Sequence, residues 1–255
     1  MNFLSHDALR LAYLDAAPTG ADLGEPILLI HGFASTHKVN WVDTQWVEAL
    51  TRAGRRVVAL DNRGHGQSDK PHDPAAYALP RMAEDARALL DHLGVARADV
   101  MGYSMGARIA AFLALAHPER VRSVVLGGLG QHLVTSSGLS LSIADAMDAP
   151  SLDSLTDPTQ RMFRAFAEAT KSDLRALSAC IRGTRQTIGE DEFGRIACPM
   201  LVAIGTRDAI AGDPHALAAL NPRATALEIP GRDHNRAVGD KVFKEGALAF
   251  LAGRV

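Results

Sequence analysis

Val100-Met101-Gly102-Tyr103-Ser104-Met105-Gly106-Ala107 is the stretch on which the reading of this chain turns. It reads as strand, tight turn and helix. Apolar Val100 and Met101 precede the turn, and Ile109, Ala110, Phe112, Leu113 and Leu115 follow it in a helix-like run to Ala116. A serine at the apex of such a turn sits in a sparsely populated backbone region, so its flanking positions need side chains too small to collide with strand or helix. Gly102 and Gly106 meet that need. The geometry lifts the Ser104 hydroxyl out of the sheet and leaves the Met105 N–H unpaired at a helix start, which is the setting of a nucleophile elbow. Taken alone, the pattern also suits a glycine-rich turn with an incidental serine.

Working outward, residues 26–30 are a short, continuous apolar run consistent with a buried strand of a parallel sheet, and residues 56–60, 99–103, 121–126 and 199–205 are expected to be further strands of it. Residues 224–229 suggest a last strand and residues 9–14 an edge strand. Between them lie helical patterns at 41–53, ended by Gly54, at 80–93, ended by Gly94, at 214–220 and at 241–251. Residues 130–194 break the alternation with polar turns and amphipathic helical pieces, at 158–169 and 173–181, and contain no buried-strand pattern.

Three further motifs carry a resemblance to the α/β-hydrolase superfamily over nearly the whole chain. They are Leu28-Leu29-Ile30-His31-Gly32-Phe33, Asp61-Asn62-Arg63-Gly64-His65-Gly66-Gln67-Ser68-Asp69, and the late pair Gly205-Thr206-Arg207-Asp208 and Gly231-Arg232-Asp233-His234. Ala107 departs from the glycine many members carry there, and it is still small. The resemblance implies a mostly parallel eight-stranded sheet flanked by helices, with residues 1–129 and 194–255 as core and 130–193 as a helical cap over the binding edge. It also implies that the N–H after the His-Gly pair, here Phe33, joins Met105 in an oxyanion hole. His31 is expected to be structural, because the family's catalytic histidine comes late in the chain.

A serine hydroxyl is a weak nucleophile at neutral pH and needs a base, oriented by a third group. His234 and Asp208 fit those roles in the chain order serine, acid, histidine. Imidazole, with an ordinary pKa of about 6.5, can take and return a proton near neutrality. Some members of the resembled family place their acid after the strand matching 121–126, but no carboxylate is available there in this chain, so the acid is expected later. Asp233 competes with Asp208, but a residue adjacent to the histidine is poorly placed to reach its ring, and His215 is expected on the outer face of the 214–220 helix. The carboxylates and histidine of the 61–69 loop match no zinc spacing, so no metal is expected.

The implied chemistry is acyl transfer through Ser104 without a cofactor, on a small to medium ester, lactone or thioester. C–C bond hydrolysis, perhydrolysis or a non-catalytic ligand receptor are the alternatives; Ser104 removes the aspartate-nucleophile members of the family. Cap residues Leu139, Ile143, Met147, Met162, Phe163 and Phe166 are expected either to line a pocket or to hold the cap together, with Phe163 and Phe166 the substrate-binding candidates.

The 255 residues, 47% apolar and 22% charged with a net charge of −2, describe a globular chain with no electrostatic reason to bind nucleic acid. The expected partner is a small molecule. No secretory or membrane-spanning pattern is present, so a cytoplasmic location is expected, with Cys180 and Cys198 as buried, unbridged side chains. The sequence leaves the oligomeric state open.

Overall fold

The computed structural model describes residues 2–253. Eight strands form one sheet: β1 (Asn2–His6), β2 (Leu9–Ala16), β3 (Ile27–Ile30), β4 (Val57–Leu60), β5 (Ala98–Tyr103), β6 (Val121–Gly127), β7 (Met200–Gly205) and β8 (Ala224–Ile229). Their spatial order is β1-β2-β4-β3-β5-β6-β7-β8, with β2 antiparallel to both its neighbours, β1 and β4, and β3 to β8 parallel to one another. Every residue of β3, β4, β5 and β7 is buried, as continuous apolar runs in a sheet covered on both faces require. The chain runs from β3 outward to β4 and returns to β5, so strand order reverses between β3 and β5. Open α/β sheets leave a crevice for ligands at such a point, outside the carboxyl ends of the strands.

The helices are α1 (Trp46–Arg52), α2 (Leu79–His92), α3 (Met105–Ala116), α4 (His132–Thr135), α5 (Leu141–Asp148), α6 (Pro158–Ala169), α7 (Leu174–Gly183), α8 (Glu190–Gly194), α9 (Pro214–Ala218), α10 (His234–Ala237) and α11 (Lys241–Gly253). Side chains of α2 and α3 pack on one face of the sheet with Leu28, Val58 and Val100. Those of α1 and α11 pack on the other with Leu29, Ala59 and Met101. Between β6 and β7 the described chain is helical and contains no strand. Asp157 and Asp173 cap α6 and α7 by accepting from Gln160 and Ala176 N–H groups, which fixes where each helix starts. Cys180 and Cys198 are buried and unbridged.

Residues 9–14, expected as an edge strand, form β2 inside the sheet between β1 and β4, because β1 takes the edge, and two further elements differ from the sequence reading. The expected helix over 41–53 is broken: a π-helical turn covers Lys38–Val42, α1 begins only at Trp46, and Gln45 between them is left-handed at φ 64°. One straight helix would place Trp41 and Trp46 about 140° apart around its axis, so only one could face the core. The break buries both, with their rings edge to face at 6.4 Å. The first strand, β1, is left unassigned by the sequence reading because only Leu4 of its five residues is buried, which gives no alternation to read.

Candidate active site

Ser104 joins β5 to α3 with φ 55° and ψ −114°, a conformation that ordinary residues avoid. The flanking glycines are required by contact. A Cβ on Gly102 would lie 2.1 Å from the Gly106 carbonyl oxygen, and one on Gly106 would lie 2.0 Å from that of Ile30. The turn is anchored where the Ser104 N–H donates to the Gly127 carbonyl of β6 at 2.8 Å.

The loops after β7 and β8 bring the other two groups to this point. His234 Nε2 lies 3.0 Å from Ser104 Oγ, and its Nδ1 lies 2.7 Å from Asp208 Oδ2. A carboxylate facing Nδ1 makes that nitrogen the donor, so in the neutral ring Nε2 is free to accept the serine proton. The second Asp208 oxygen accepts the Ile210 and Ala211 N–H groups at 2.8 and 3.0 Å, which fixes the carboxylate's orientation. Asp233 is used differently. It caps α10 by accepting from the Asn235 and Arg236 N–H groups, as its place just before a helix dictates. His215 lies on α9 beside Glu228, well exposed and away from Ser104. The two loops touch closely: a Cβ on Gly205 would meet the Arg232 carbonyl at 2.1 Å. The Tyr103 hydroxyl donates to the His234 carbonyl at 2.6 Å, tying the histidine loop to the strand that carries Ser104.

Phe33 and Met105 are adjacent because β3 and β5 are paired, with Ile30 opposite Gly102. Neither backbone N–H has a hydrogen-bond partner among the described residues, and both residues border the cavity at Ser104. The Phe33 loop rests on a sealed polar cluster. His31 donates from Nδ1 to the Gly32 carbonyl and accepts the Asn62 N–H at Nε2, so both ring nitrogens are spent on backbone. Burial lowers its pKa to about 4, and burial, with His31 alongside, lowers that of His65 to about 3, so both rings are neutral at neutral pH. Asp61 accepts from the His37 ring at 2.8 Å and from the Gln67 N–H. Burial opposes its charge, but the His37 bond and the neighbouring histidines prevail and hold it at about 2. No cluster of three or more His, Cys, Asp or Glu among the described residues could hold a metal ion.

Two cavities meet at Phe33 and Ser104. The larger, about 270 Å³, is lined by Asn40, Val39, Met162, Phe163, Phe166 and His234 among others. The smaller, about 100 Å³, runs past Met105 to Arg108, Leu129, Leu139, Ile181 and Ile210. Phe163 is buried with its ring 6.1 Å from that of Phe33, and Thr170 at the end of α6 donates to the Ala34 carbonyl. Of the apolar residues singled out in the helical segment, Leu139, Met162, Phe163 and Phe166 border a cavity, while Ile143 and Met147 are buried in the core. Arg108 was missed by the sequence reading. Its signal was a lone charge within the apolar run after Ser104.

A model of the alpha/beta hydrolase fold matches residues 25–153. A 2-hydroxymuconate semialdehyde hydrolase of Pseudomonas sp. (strain CF600) is 37% identical over 126 residues, 49% of this chain and 41% of that protein. A dihydrolipoyllysine-residue acetyltransferase component of the acetoin cleaving system of Pseudomonas putida is 31% identical over 255 residues, 91% of this chain and 65% of that protein. The chain thus spans less than two thirds of the length of these curated relatives. The crystal structure of a hydrolase from Pseudomonas aeruginosa PA01 superposes with a TM-score of 0.79 at 27% identity, covering 99% of this chain and 98% of that one.

Proposed function

The chain belongs to the α/β-hydrolase fold family, and on that footing we propose that it is a serine hydrolase acting on a small to medium ester, lactone or thioester through an acyl-enzyme on Ser104. The observation that carries this reading is the continuous link from Ser104 Oγ through His234 to Asp208, at 3.0 and 2.7 Å, beside two unpaired N–H groups. In the first step Ser104 Oγ bonds to the substrate carbonyl carbon as its proton passes to His234 Nε2. Asp208 holds the ring and stabilises the imidazolium. The Phe33 and Met105 N–H groups receive the oxyanion. Collapse breaks the bond to the leaving group, which takes the proton from His234. Water then attacks the acyl-enzyme, His234 receives its proton, and the free acid leaves with Ser104 restored. No cofactor enters these steps.

His234 borders only the larger cavity, so the leaving group, which must take its proton there, occupies that arm and the acyl group the smaller one. On this reading residues 130–193 act as a cap that selects substrates, with Phe163 and Phe166 against the leaving group. No helix of the described residues is long and apolar enough to cross a membrane, and two buried unbridged thiols suit a reducing compartment such as the cytoplasm. Similarity to a 2-hydroxymuconate semialdehyde hydrolase supports a second reading, in which the same groups cleave a carbon–carbon bond.

The test is to treat the protein with a fluorophosphonate and locate the adduct by mass spectrometry, alongside turnover of esters, lactones, thioesters and a vinylogous diketone. The adduct is expected on Ser104 and absent from His234→Ala. Labelling elsewhere, with no turnover of any substrate class, would sink the assignment.

A further inference from the structure

Four arginines are buried among the described residues: Arg55, Arg63, Arg108 and Arg164. Three of them meet carboxylates, Arg55 at Asp99 and Glu25, Arg63 at Asp85 and Asp7, and Arg164 at Glu168. Arg108 has none within 4 Å. Its Nη1 and Nη2 donate to the carbonyls of Leu133 and His132 at 2.9 and 2.7 Å, which uses two of five guanidinium donors and supplies no negative charge. A buried, uncompensated cation is costly, so its position calls for an explanation.

That position is one helical turn beyond Ser104 on α3, in the wall of the smaller cavity that Ser104 also borders. A second cation stands nearby. Arg185 follows α7 and donates from Nη2 to the Leu139 carbonyl at 2.7 Å, and a Cβ on Gly138 would lie 3.2 Å from that nitrogen. Leu139 and Gly138 both border the smaller cavity, and Arg185 likewise has no carboxylate within 4 Å. Burial, helped by the Arg185 charge, lowers Arg108 to about 10, so it is still charged at neutral pH.

We infer that the smaller cavity takes an acyl group ending in a carboxylate, whose charge is met by Arg108 with Arg185 behind it. The inference rests on the assignment of Ser104 as nucleophile and of this arm to the acyl group. It makes Arg108 and Arg185 determinants of substrate choice, supplying the charge-assisted bonds that a neutral acyl chain cannot use. An aliphatic acyl group would instead leave the guanidinium facing an apolar end.

The test compares monomethyl succinate, glutarate and adipate with methyl butanoate, pentanoate and hexanoate. At one chain length kcat/KM is expected to favour the anionic ester by on the order of 10- to 100-fold. Arg108→Met and Arg185→Met should each bring that ratio towards one, and Arg108→Lys should recover part of it, since charge returns without the planar fork. Because Arg108 also ties α3 to α4, binding is measured separately by calorimetry on Ser104→Ala, where monomethyl glutarate should bind at least tenfold tighter than dimethyl glutarate. Neutral esters cleaved as well as anionic ones at every length overturn the inference and leave the serine hydrolase standing. Tight binding of the monoester by Ser104→Ala, in a protein whose Ser104 takes no fluorophosphonate, supports the anion site and overturns the hydrolase instead. Equal binding of monoester and diester overturns the anion site whatever the activity.

Discussion

Asp208 meets the His234 ring at 2.7 Å and Asp61 meets the His37 ring at 2.8 Å, yet the two pairs stand in different surroundings. His234 turns its second nitrogen to Ser104 at the wall of a cavity, with 12% of its side chain exposed. The Asp61 pair belongs to a sealed cluster in which His31 spends both nitrogens on backbone and His65 has a buried Nε2 with no partner. An aspartate beside a histidine is therefore no mark of catalysis. What distinguishes the pairs is that the second nitrogen of His234 meets a hydroxyl at a cavity, where a proton could pass between them.

The strongest way to break this comparison is to remove the proton path. Ser104→Ala and His234→Ala should each lower kcat by ~10⁴- to 10⁶-fold with little change in thermal midpoint, checked by ester kinetics beside calorimetry. A variant within tenfold of the parent would end the assignment. Next in size, Asp208→Asn should cost on the order of 10⁴ in kcat by upsetting the His234 tautomer. Asp233→Asn should cost less than about tenfold, because asparagine caps a helix as well as aspartate does. Asp61→Asn should invert the pattern, losing roughly 3 kcal/mol of unfolding free energy by breaking a buried pair while kcat falls far less than in Asp208→Asn. Equal kinetic losses at positions 61 and 208 would mean that the sealed cluster takes part in chemistry.

Protonation sharpens the same contrast. An unfolded histidine gains its proton near the ordinary value of about 6.5, whereas folded His31 gains it only near about 4 and His65 near about 3. Between those values the unfolded chain holds more protons, so stability is greatest above about pH 6.5 and declines as pH falls, by roughly 3 kcal/mol from His31 alone. Asp61, held down to about 2, supports the fold above the carboxylate range and releases that support only as pH approaches 2. Denaturant titrations at pH 7 and 4.5 should show the decline, and His31→Gln should flatten it. Equal stability at the two pH values would show that the rings titrate freely.

The smallest effect belongs where neither pair reaches. Phe163→Ala or Phe166→Ala should shift selectivity along an alcohol-length series by a few fold, since an apolar wall discriminates by roughly 1–3 kcal/mol per methylene at most. An unchanged ratio in both variants would remove these side chains from the leaving-group arm.

The positions of the parallel strands and of Ser104, Asp208 and His234 were legible because each lies where an apolar run stops at a glycine or a polar residue. The turn glycines at 102 and 106 mark a close approach that no other residue permits. Less was legible where tertiary packing overrides local pattern. The break at Gln45 exists to bury two tryptophans that one helix could not turn inward together, and β1 has a single buried residue to announce it. The smaller cavity was illegible for another reason. Its walls come from α3, α4, α7 and the loop after β7, and no one stretch of sequence contains the juxtaposition.

The backbone of Ser104 sets a relation between activity and the drift of sequences. A non-glycine residue held at φ 55° and ψ −114° costs on the order of 1–3 kcal/mol, and glycine would be relieved of most of that. With Ser104 as the nucleophile proposed above, replacement by glycine would make the protein more robust and chemically silent in one step. Serine persists at this position only while selection for turnover opposes that gain. On that assignment, a lineage released from such selection would lose Ser104 well before it lost its fold.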